Sequence, residues 1–127
     1  MAKKDIKNTV QESAKEVKAS AKYIRVSPFK LRKVVNEVRS LNVNSALLKL
    51  NVMNQKSSKI VYKLLHSCMS NAVNNFNLKK DDLFVSEIFV NEGPKMKRYQ
   101  PRARGRMFQI LKPTSHIDII LVTKGEK

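Results

Sequence analysis

The arginine and lysine residues of this chain are concentrated in one segment, residues 94–112. It holds seven cationic side chains and no acidic one, and four of the chain's seven arginines lie between Arg98 and Arg106. A guanidinium group binds phosphate through paired hydrogen bonds and stacks on nucleobases, whereas an ammonium group does not. Tyr99 and Phe108 add rings on which bases can stack. The segment is therefore predicted to bind a polyanion, and its arginines favour nucleic acid over a lipid surface.

The whole chain points to the same kind of partner. It has 127 residues and 26 basic against 10 acidic side chains, a formal charge of +16. The length suits one small domain, and 42% hydrophobic residues are enough to form its core. Because so much like charge opposes compaction of an isolated monomer, we expect a polyanion to bind it.

Residues capable of catalysis or metal binding are few and scattered. His66 and His116 are the only histidines, and neither lies in a pattern typical of a catalytic triad. Cys68 falls on an apolar helical stripe, which favours a core position, and one cysteine with two separate histidines does not make a zinc site. Asp81 and Asp82 are more simply interpreted as turn residues than as a paired-carboxylate site. We expect no enzyme activity, no metal and no cofactor.

A membrane-inserted protein is also not expected. The longest uninterrupted apolar stretch is Ile119–Val122, far below the roughly 20 residues needed to cross a bilayer. Residues 1–21 are rich in Lys, Glu and Ala and lack the apolar core of a signal peptide. We predict a basic, flexible N-terminal extension over residues 1–21 and a single domain over residues 22–127.

Three helices are predicted from apolar spacing. Ser27 is a suitable N-cap for the first, with Pro28 at its first helical position. The apolar stripe of this helix is Leu31, Val34, Val35 and Val38. A second, short helix is predicted after Asn44, and its inward residues are Ala46, Leu47 and Leu50. The third follows Asn54, and its stripe is Ile60, Val61, Leu64, Leu65, Cys68, Met69, Ala72 and Val73.

Strands are predicted on both sides of the arginine-rich segment. Leu83–Val90 and Ile117–Val122 are rich in β-branched and aromatic residues, and Tyr23–Val26 is a weaker candidate. An unstructured loop of about 25 residues between two strands would be unusual, so we predict a long β-hairpin at about residues 91–116. A two-stranded ribbon is marginally stable in water, and this one has too few apolar residues for a core of its own. It is therefore expected to be ordered around a polyanion.

The residues of this hairpin resemble a known family. Glu92–Arg106, which contains the motif PRARGR, and Lys112–Ile117, which contains the segment SHI, are similar to the large-subunit ribosomal protein twenty-two family. Ser27–Arg32 resembles the motif of the family's first helix, and Ser70–Asn75 that of its third. The resemblance extends from about Tyr23 to Val122.

The resemblance implies an α+β fold, with three helices packed on a small three-stranded antiparallel sheet and a long protruding β-hairpin. It also implies a structural protein of the large ribosomal subunit that binds large-subunit rRNA and supports assembly. The hairpin tip would line the polypeptide exit tunnel. The implied partners are rRNA, the other large-subunit proteins around the tunnel and the nascent polypeptide, and no homo-oligomer is expected.

The resemblance also assigns residues to these roles. The implied rRNA-binding residues are Ser27, Lys30, Arg32, Lys33, Lys95, Lys97, Arg98, Arg102, Arg104, Arg106 and Lys112. The implied tunnel tip is Met96, Lys97, Arg98, Tyr99, Pro101, Arg102, Ala103, Arg104, Gly105 and Arg106.

The chain departs from the family pattern after the first helix. Arg39-Ser40 stands where the family often has Arg-Gly, so we expect a turn of different shape there. Leu41, Asn42 and Asn44 replace a more basic stretch, which leaves rRNA contact at that point open.

Two other functions and two compartments are compatible with this sequence. An architectural DNA-binding protein would use an Arg/Pro β-ribbon arm in the minor groove, but such proteins usually form intertwined dimers. A lipid-surface protein would surround an apolar insertion face with cations, whereas the helical stripes here are predicted to form a core. The many Lys, Asn and Ile residues suggest an AT-rich genome. We expect the large subunit of a plastid ribosome, with a bacterial cytoplasm as the alternative.

Overall fold

The computed structural model describes residues 16–124. Its elements, in chain order, are β1 (Glu16–Ile24), α1 (Pro28–Val38), α2 (Val43–Val52), α3 (Lys56–Phe76), β2 (Leu83–Glu92), β3 (Met96–Pro101), β4 (Met107–Lys112) and β5 (Ser115–Thr123). β1, β5 and β2 form a three-stranded antiparallel sheet in that order, and β3 pairs with β4 in a separate hairpin. The α+β class predicted from the sequence is confirmed. In the described part of the chain, no helix is long and apolar enough to cross a membrane.

The three helices cover one face of the sheet through their predicted stripes. Leu31, Val34, Val35 and Val38 of α1 are all buried, and α2 buries Val43, Ala46 and Leu50. α3 contributes Val61, Leu65, Cys68, Met69 and Ala72 to the same core. It ends at Asn77, which adopts a left-handed conformation and donates its N–H to the Ala72 carbonyl. The central strand β5 presents Ile117, Ile119 and Leu121 to these helices.

The first strand lies earlier in the chain than predicted. β1 runs over Glu16–Ile24, so the predicted boundary between residues 21 and 22 falls inside a strand, and Tyr23–Val26 includes only its end. On its inner face β1 buries Val17, with the small residue Ala19 half-buried, while its other side chains are largely lysine, glutamate and serine. This composition is typical of helices and tails, so the sequence alone does not reveal the alternation of a strand. Residues 1–15, where the rest of the predicted extension falls, lie outside the described residues.

Ser40 is one of four described non-glycine residues with a left-handed backbone, with a φ of 61°. The sequence predicts a turn of different shape after α1, because Ser40 stands where the family often has glycine. The structure shows instead that Ser40 adopts the left-handed conformation that glycine favours. Two hydrogen bonds tie this turn to β2: Ser40 N–H donates to the Val85 carbonyl at 3.1 Å, and Val85 N–H donates to the Leu41 carbonyl at 2.9 Å.

We predict that Ser40→Gly raises the free energy of unfolding by up to about 1 kcal/mol, because it removes the steric cost of the left-handed region. Chemical denaturation of the full chain measures this change. Asn77→Gly is the matched control, since asparagine tolerates the same conformation and has less to gain. Equal gains in the two variants would contradict the argument.

Cys68 lies in the core between α3 and β1, with its Sγ 3.6 Å from the Val17 carbonyl oxygen. Burial raises the pKa of the Cys68 thiol from 9.0 to about 11. The neutral thiol is therefore favoured in the folded state, and its stabilising contribution is complete below the pKa of the unfolded thiol. This contribution is lost as the pH rises from about 9 towards 11.

Cys68→Ala is therefore expected to be less destabilising at pH about 11 than at pH about 8. The folded chain loses the thiol contribution at high pH, and the variant has none to lose. Urea denaturation of both proteins at the two pH values measures the difference in free energy of unfolding. A difference that stays constant with pH would show that the buried thiol does not resist ionisation.

The root of the β3–β4 hairpin is held by a close contact between its two legs. Gly93 N–H donates to the Thr114 carbonyl at 2.9 Å, and Thr114 Oγ1 donates to the Pro94 carbonyl at 2.6 Å. A Cβ atom at position 93 would overlap Thr114 Oγ1 and approach the His116 ring at 3.3 Å. Glycine is therefore required at this position for space, not for backbone conformation.

Gly93→Ala is expected to lower the free energy of unfolding by about 1–3 kcal/mol, the usual cost of overpacking a closed site. Thermal or chemical denaturation of the full chain measures it. In Gly105→Ala, the matched control, the residue has a φ of +69° but nothing within 4 Å of the new Cβ. Its strain is confined to the exposed tip, so global unfolding should be nearly unchanged.

Candidate nucleic-acid interface

The hairpin extends from the body as a two-stranded ribbon with an exposed tip. Its six residue pairs run from Met96 opposite Lys112 to Pro101 opposite Met107, a paired length of about 20 Å. Residues 102–106 connect the strands, and Arg102 N–H donates to the Arg106 carbonyl at 2.7 Å. Arg104 and Gly105 are both left-handed, with φ values of 60° and 69°. The turn is therefore narrow and carries three arginines.

This geometry divides the ten residues predicted for the tip into two groups. Arg102, Ala103, Arg104, Gly105 and Arg106 form the connection. Met96, Lys97, Arg98, Tyr99 and Pro101 lie in β3, along one leg of the hairpin, so the structure places them before the turn. The pairing register that separates the groups depends on where the chain turns. The family motif does not state this position.

The hairpin has no buried face. Residues directly opposite each other share a face, so one face carries Met96, Arg98, Gln100, Phe108, Ile110 and Lys112. The other carries Lys97, Tyr99, Pro101, Met107, Gln109 and Leu111. Tyr99, Met107, Phe108 and Leu111 are each between 47% and 64% exposed, and they are distributed over both faces. Apolar and cationic groups are therefore available on both sides of the ribbon.

The cations of the hairpin are not neutralised within the described residues. The ion pairs there are Lys18–Glu16 at 3.5 Å and Lys49–Glu37 at 2.7 Å, both on the body. In the hairpin, the Arg102 guanidinium lies 5.8 Å from the centre of the Phe108 ring, and Arg98 Nη1 donates to the carbonyl of Lys97 at 2.8 Å. These contacts orient the guanidinium groups without reducing their charge, so the cations repel one another until a polyanion is present.

A basic groove lies beside the hairpin root. It has a volume of about 670 Å³ and is lined by Arg25, Val26, Ser27, Lys30, Lys33, Gln55, Lys56, Ser57, Lys112 and Pro113. Five of these residues are cationic and none is acidic. The groove brings together four of the predicted rRNA-binding residues, Ser27, Lys30, Lys33 and Lys112. We call this site the root groove.

Sequence reasoning missed Arg25 as a member of this site. Lys56 belongs to the basic first half of the third helix, which is visible in the sequence, but nothing there shows that this half lies next to the first helix. Arg25 stands alone between a strand and Ser27 without a motif. The remaining lining residue of α3, Ser57, is 4% exposed and gave no signal in the sequence.

Two other predicted residues lie outside the root groove. Lys95 lines a neighbouring cleft of about 260 Å³, together with Phe29 and Glu92. Arg32 extends towards β2, where its Nη2 donates to the Val90 carbonyl at 3.1 Å. Arg39, seven residues later on the same side of the helix, donates from Nη2 to the Ile88 carbonyl at 3.0 Å. Together they cover part of the free edge of β2, which protects an edge strand from pairing with another chain.

The asparagines that replace a basic stretch connect α2 to the turn before β2. Asn42 Oδ1 accepts from the Asn44 N–H at 2.9 Å and so caps α2. Asn42 Nδ2 donates to the carbonyl oxygen of Asp81, and Asn44 Nδ2 donates to Asp81 Oδ1, both at 2.8 Å. Asp81 and Asp82 belong to a short 3₁₀ turn, as the simpler interpretation predicted.

The histidines also have local contacts. His116 Nδ1 accepts from the Tyr23 N–H at 3.0 Å and its ring meets the Tyr23 ring edge-on, while His66 stacks on Tyr62. Over residues 16–124 no three His, Cys, Asp or Glu side chains lie close enough to hold a metal ion. The chemistry of this surface is therefore that of cations and exposed rings.

The chain matches known proteins over most of its length. A family model described as Ribosomal protein L22p/L17e matches residues 19–122. The chain is 44% identical over 109 residues to "Large ribosomal subunit protein uL22c" of Thalassiosira pseudonana, covering 86% of this chain and 95% of that protein. It is 46% identical over 109 residues to the protein of the same name from Chaetosphaeridium globosum, with 86% and 92% covered. It is 40% identical over 111 residues to "Large ribosomal subunit protein uL22" of Chloroflexus aggregans, with 87% and 98% covered.

Proposed function

Because this chain belongs to the ribosomal protein L22p/L17e family, we propose that it binds large-subunit rRNA through its hairpin and root groove and supports assembly of the subunit. Its role is that of a structural ribosomal protein and not of an enzyme. The relatives agree with the large subunit of a plastid or bacterial ribosome.

The observation that carries this proposal is the two-faced hairpin. A ribbon with exposed apolar residues on both faces and seven nearby cations is only marginally stable when free in water. A partner that covers both faces must therefore surround it, and the partner must be anionic. A folded RNA supplies phosphates for the arginines and bases for Tyr99 and Phe108 at the same time. Duplex DNA can enclose such an arm only by deformation of its minor groove.

The rRNA proposal is tested with the full chain, large-subunit rRNA and duplex DNA of equal nucleotide concentration at several salt concentrations. We expect the chain to prefer the folded rRNA by at least about tenfold at 0.15 M salt, where duplex DNA provides only nonspecific phosphate contacts. Equal affinity for the two nucleic acids would favour the architectural DNA-binding alternative.

We further propose that the tip, residues 102–106, lines the polypeptide exit tunnel and contacts the nascent chain. The family resemblance supports this role, and the narrow, exposed turn is compatible with it. Met96–Pro101 would then contact rRNA along the leg and not at the tunnel wall.

The tunnel role is tested with a crosslinker on Arg104→Cys in ribosomes that carry a stalled nascent chain. Cys68 is buried with a raised pKa, so the new thiol is the reactive one. Lys79→Cys is the control. Lys79 precedes the first residue of β2 and the hairpin follows the last, so Lys79 lies about 30 Å from the start of the hairpin. We expect nascent-chain crosslinks from position 104 and not from position 79. Absence of crosslinks from position 104, or equal crosslink yields from the two positions, would contradict the tunnel role.

A further inference from the structure

The three-stranded sheet has a second face, on the side opposite the three helices. Cross-strand pairing places three rows of side chains on it, because every second residue of a strand points to the same side. Phe84, Val122 and Glu16 form the first row. Glu87, Ile120 and Lys18 form the second, and Phe89, Asp118 and Ser20 the third. None of these nine residues is buried, and we call them the outer sheet face.

The outer sheet face is more apolar than a face that only meets water. An antiparallel sheet with one solvated face usually alternates apolar residues inward and polar residues outward. Here four of the nine outward positions hold large apolar side chains, Phe84, Phe89, Ile120 and Val122, and Phe89 is 48% exposed. A groove of about 380 Å³ between Phe89 and Ser20 runs over Asp118 and Ile120. Adjoining apolar residues with polar neighbours mark a surface that another molecule covers.

The charges of this face select the class of that molecule. The described residues include seven acidic side chains, and three of them lie here: Glu16, Glu87 and Asp118. Lys18 is the one cation in the three rows, and it forms an ion pair with Glu16 at 3.5 Å. Three acidic groups and one lysine give the face a formal charge of −2, on a chain of +16. RNA phosphates are repelled by such a face, whereas a basic polypeptide is attracted.

Asp118 is the acidic residue best placed for a partner. It is half-buried in the central strand, lines the groove and forms no ion pair among the described residues. Phe89 lies directly opposite it on β2. An arginine can bind such a carboxylate through paired hydrogen bonds and stack on the adjacent ring. Glu87 lies at the strand edge beside Arg39, whose guanidinium donates to the Ile88 carbonyl.

The size of the outer sheet face suits a short segment and not a folded domain. It extends about 14 Å along β5 and about 10 Å across the three strands. An interface between two folded proteins uses about 20–30 residues on each side, well above the nine present here. We propose that the outer sheet face binds an extended segment, rich in arginine and lysine, of another large-subunit protein. A cation of this segment binds Asp118, and an apolar side chain packs on Phe89 and Ile120. The inference rests on the family's place in the large subunit and not on rRNA binding.

The first test attaches a photoactivatable crosslinker to Ser20→Cys in large subunits assembled with the full chain. The new thiol is the reactive one, because Cys68 is buried with a raised pKa. Lys33→Cys, in the root groove, is the control position. We expect position 20 to crosslink to a protein segment rich in arginine and lysine, and position 33 to rRNA. An rRNA crosslink from position 20, or none, would overturn the inference. If position 20 crosslinks to such a segment and position 33 does not crosslink to rRNA, the proposed function is contradicted and this inference stands.

The second test measures the affinity of the free full chain for a synthetic peptide with the crosslinked sequence. Asp118→Asn should weaken binding by about 3- to 10-fold, as for one charge-assisted contact. Asp82→Asn is the matched control, since Asp82 is an exposed acidic residue before β2 and outside the outer sheet face, and it should change the affinity little. Equal effects of the two variants would show that net charge alone attracts the peptide. That result, or no binding to the parent chain, would overturn the site.

A second copy of the chain is the other possible occupant of this face. A symmetric contact would bring two Asp118 carboxylates together, so we expect the free chain to sediment as a monomer. Phe89→Ala removes the apolar wall of the groove and is compared with the parent chain in the same sedimentation experiment. A dimer that Phe89→Ala dissociates would assign the face to a second copy and overturn the inference.

Discussion

Replacement of Arg102, Arg104 and Arg106 by alanine is expected to weaken binding to large-subunit rRNA by about 100- to 500-fold at 0.1 M salt. Each phosphate that a cation neutralises contributes about 0.7–0.9 to the slope of log affinity against log salt concentration. Loss of three such contacts should flatten the slope by about 2 to 3. These arginines form no ion pair among the described residues and are exposed, so their removal leaves the body's packing intact.

The measurement is a salt titration of rRNA affinity for the parent chain and for two triple variants. The control is Lys79→Ala with Lys80→Ala and Lys124→Ala, which removes the same charge from the end of the sheet opposite the hairpin. Its slope should change much less. If the two triple variants lose affinity equally, net charge alone governs binding and the hairpin has no special role. An unchanged slope in the arginine variant would remove the hairpin tip from the interface.

The parts of the fold with strong periodicity could be predicted from the sequence. The stripe of α1 and the alternation of β5 each follow from one residue class at one spacing, and both are buried as expected. β1 could not be predicted in the same way, because an edge strand needs few apolar residues and Val17 is its main buried side chain. Its pairing with β5 also joins residues about 100 positions apart, which no local pattern reveals.

The candidate site shows the same division between local and long-range information. The composition of the sequence predicts the cationic arm and its hairpin. It does not predict the root groove, because the residues that line this groove come from separate elements, among them Arg25, Lys33, Lys56 and Lys112. Arg32 illustrates the opposite case. The family resemblance implies rRNA contact for Arg32 as for Lys30 and Lys33, but its guanidinium extends towards the edge of β2 and not into the root groove. Charge along the chain predicts the class of partner, and only packing decides which charges share a site.

Deletion of Met96–Arg98 is expected to disorder the hairpin while the body stays folded. It shortens one leg by three residues, so the bond between Gly93 and Thr114 at the root and the pairing of Tyr99 with Gln109 cannot both be kept. An odd shift also moves side chains to the opposite face. The helices pack on the separate three-stranded sheet, so helical circular dichroism should be unchanged. Hydrogen exchange of the rRNA-bound chain should show loss of protection confined to β3 and β4.

The matched control deletes Lys97 and Arg98 together with Ile110 and Leu111. It removes the same two cations, but it shortens both legs equally, because Lys97 pairs with Leu111 and Arg98 pairs with Ile110. The hydrogen bonds at the root and the alternation of faces are therefore retained. The hairpin becomes shorter by about 7 Å and should stay protected from exchange. In ribosomes, the unequal deletion should abolish nascent-chain crosslinking from position 104, whereas binding through the root groove persists. If both deletions disorder the hairpin, its order depends on the length of its legs and not on their register. If the unequal deletion unfolds the helices, the hairpin stabilises the body and is not an arm ordered by its partner.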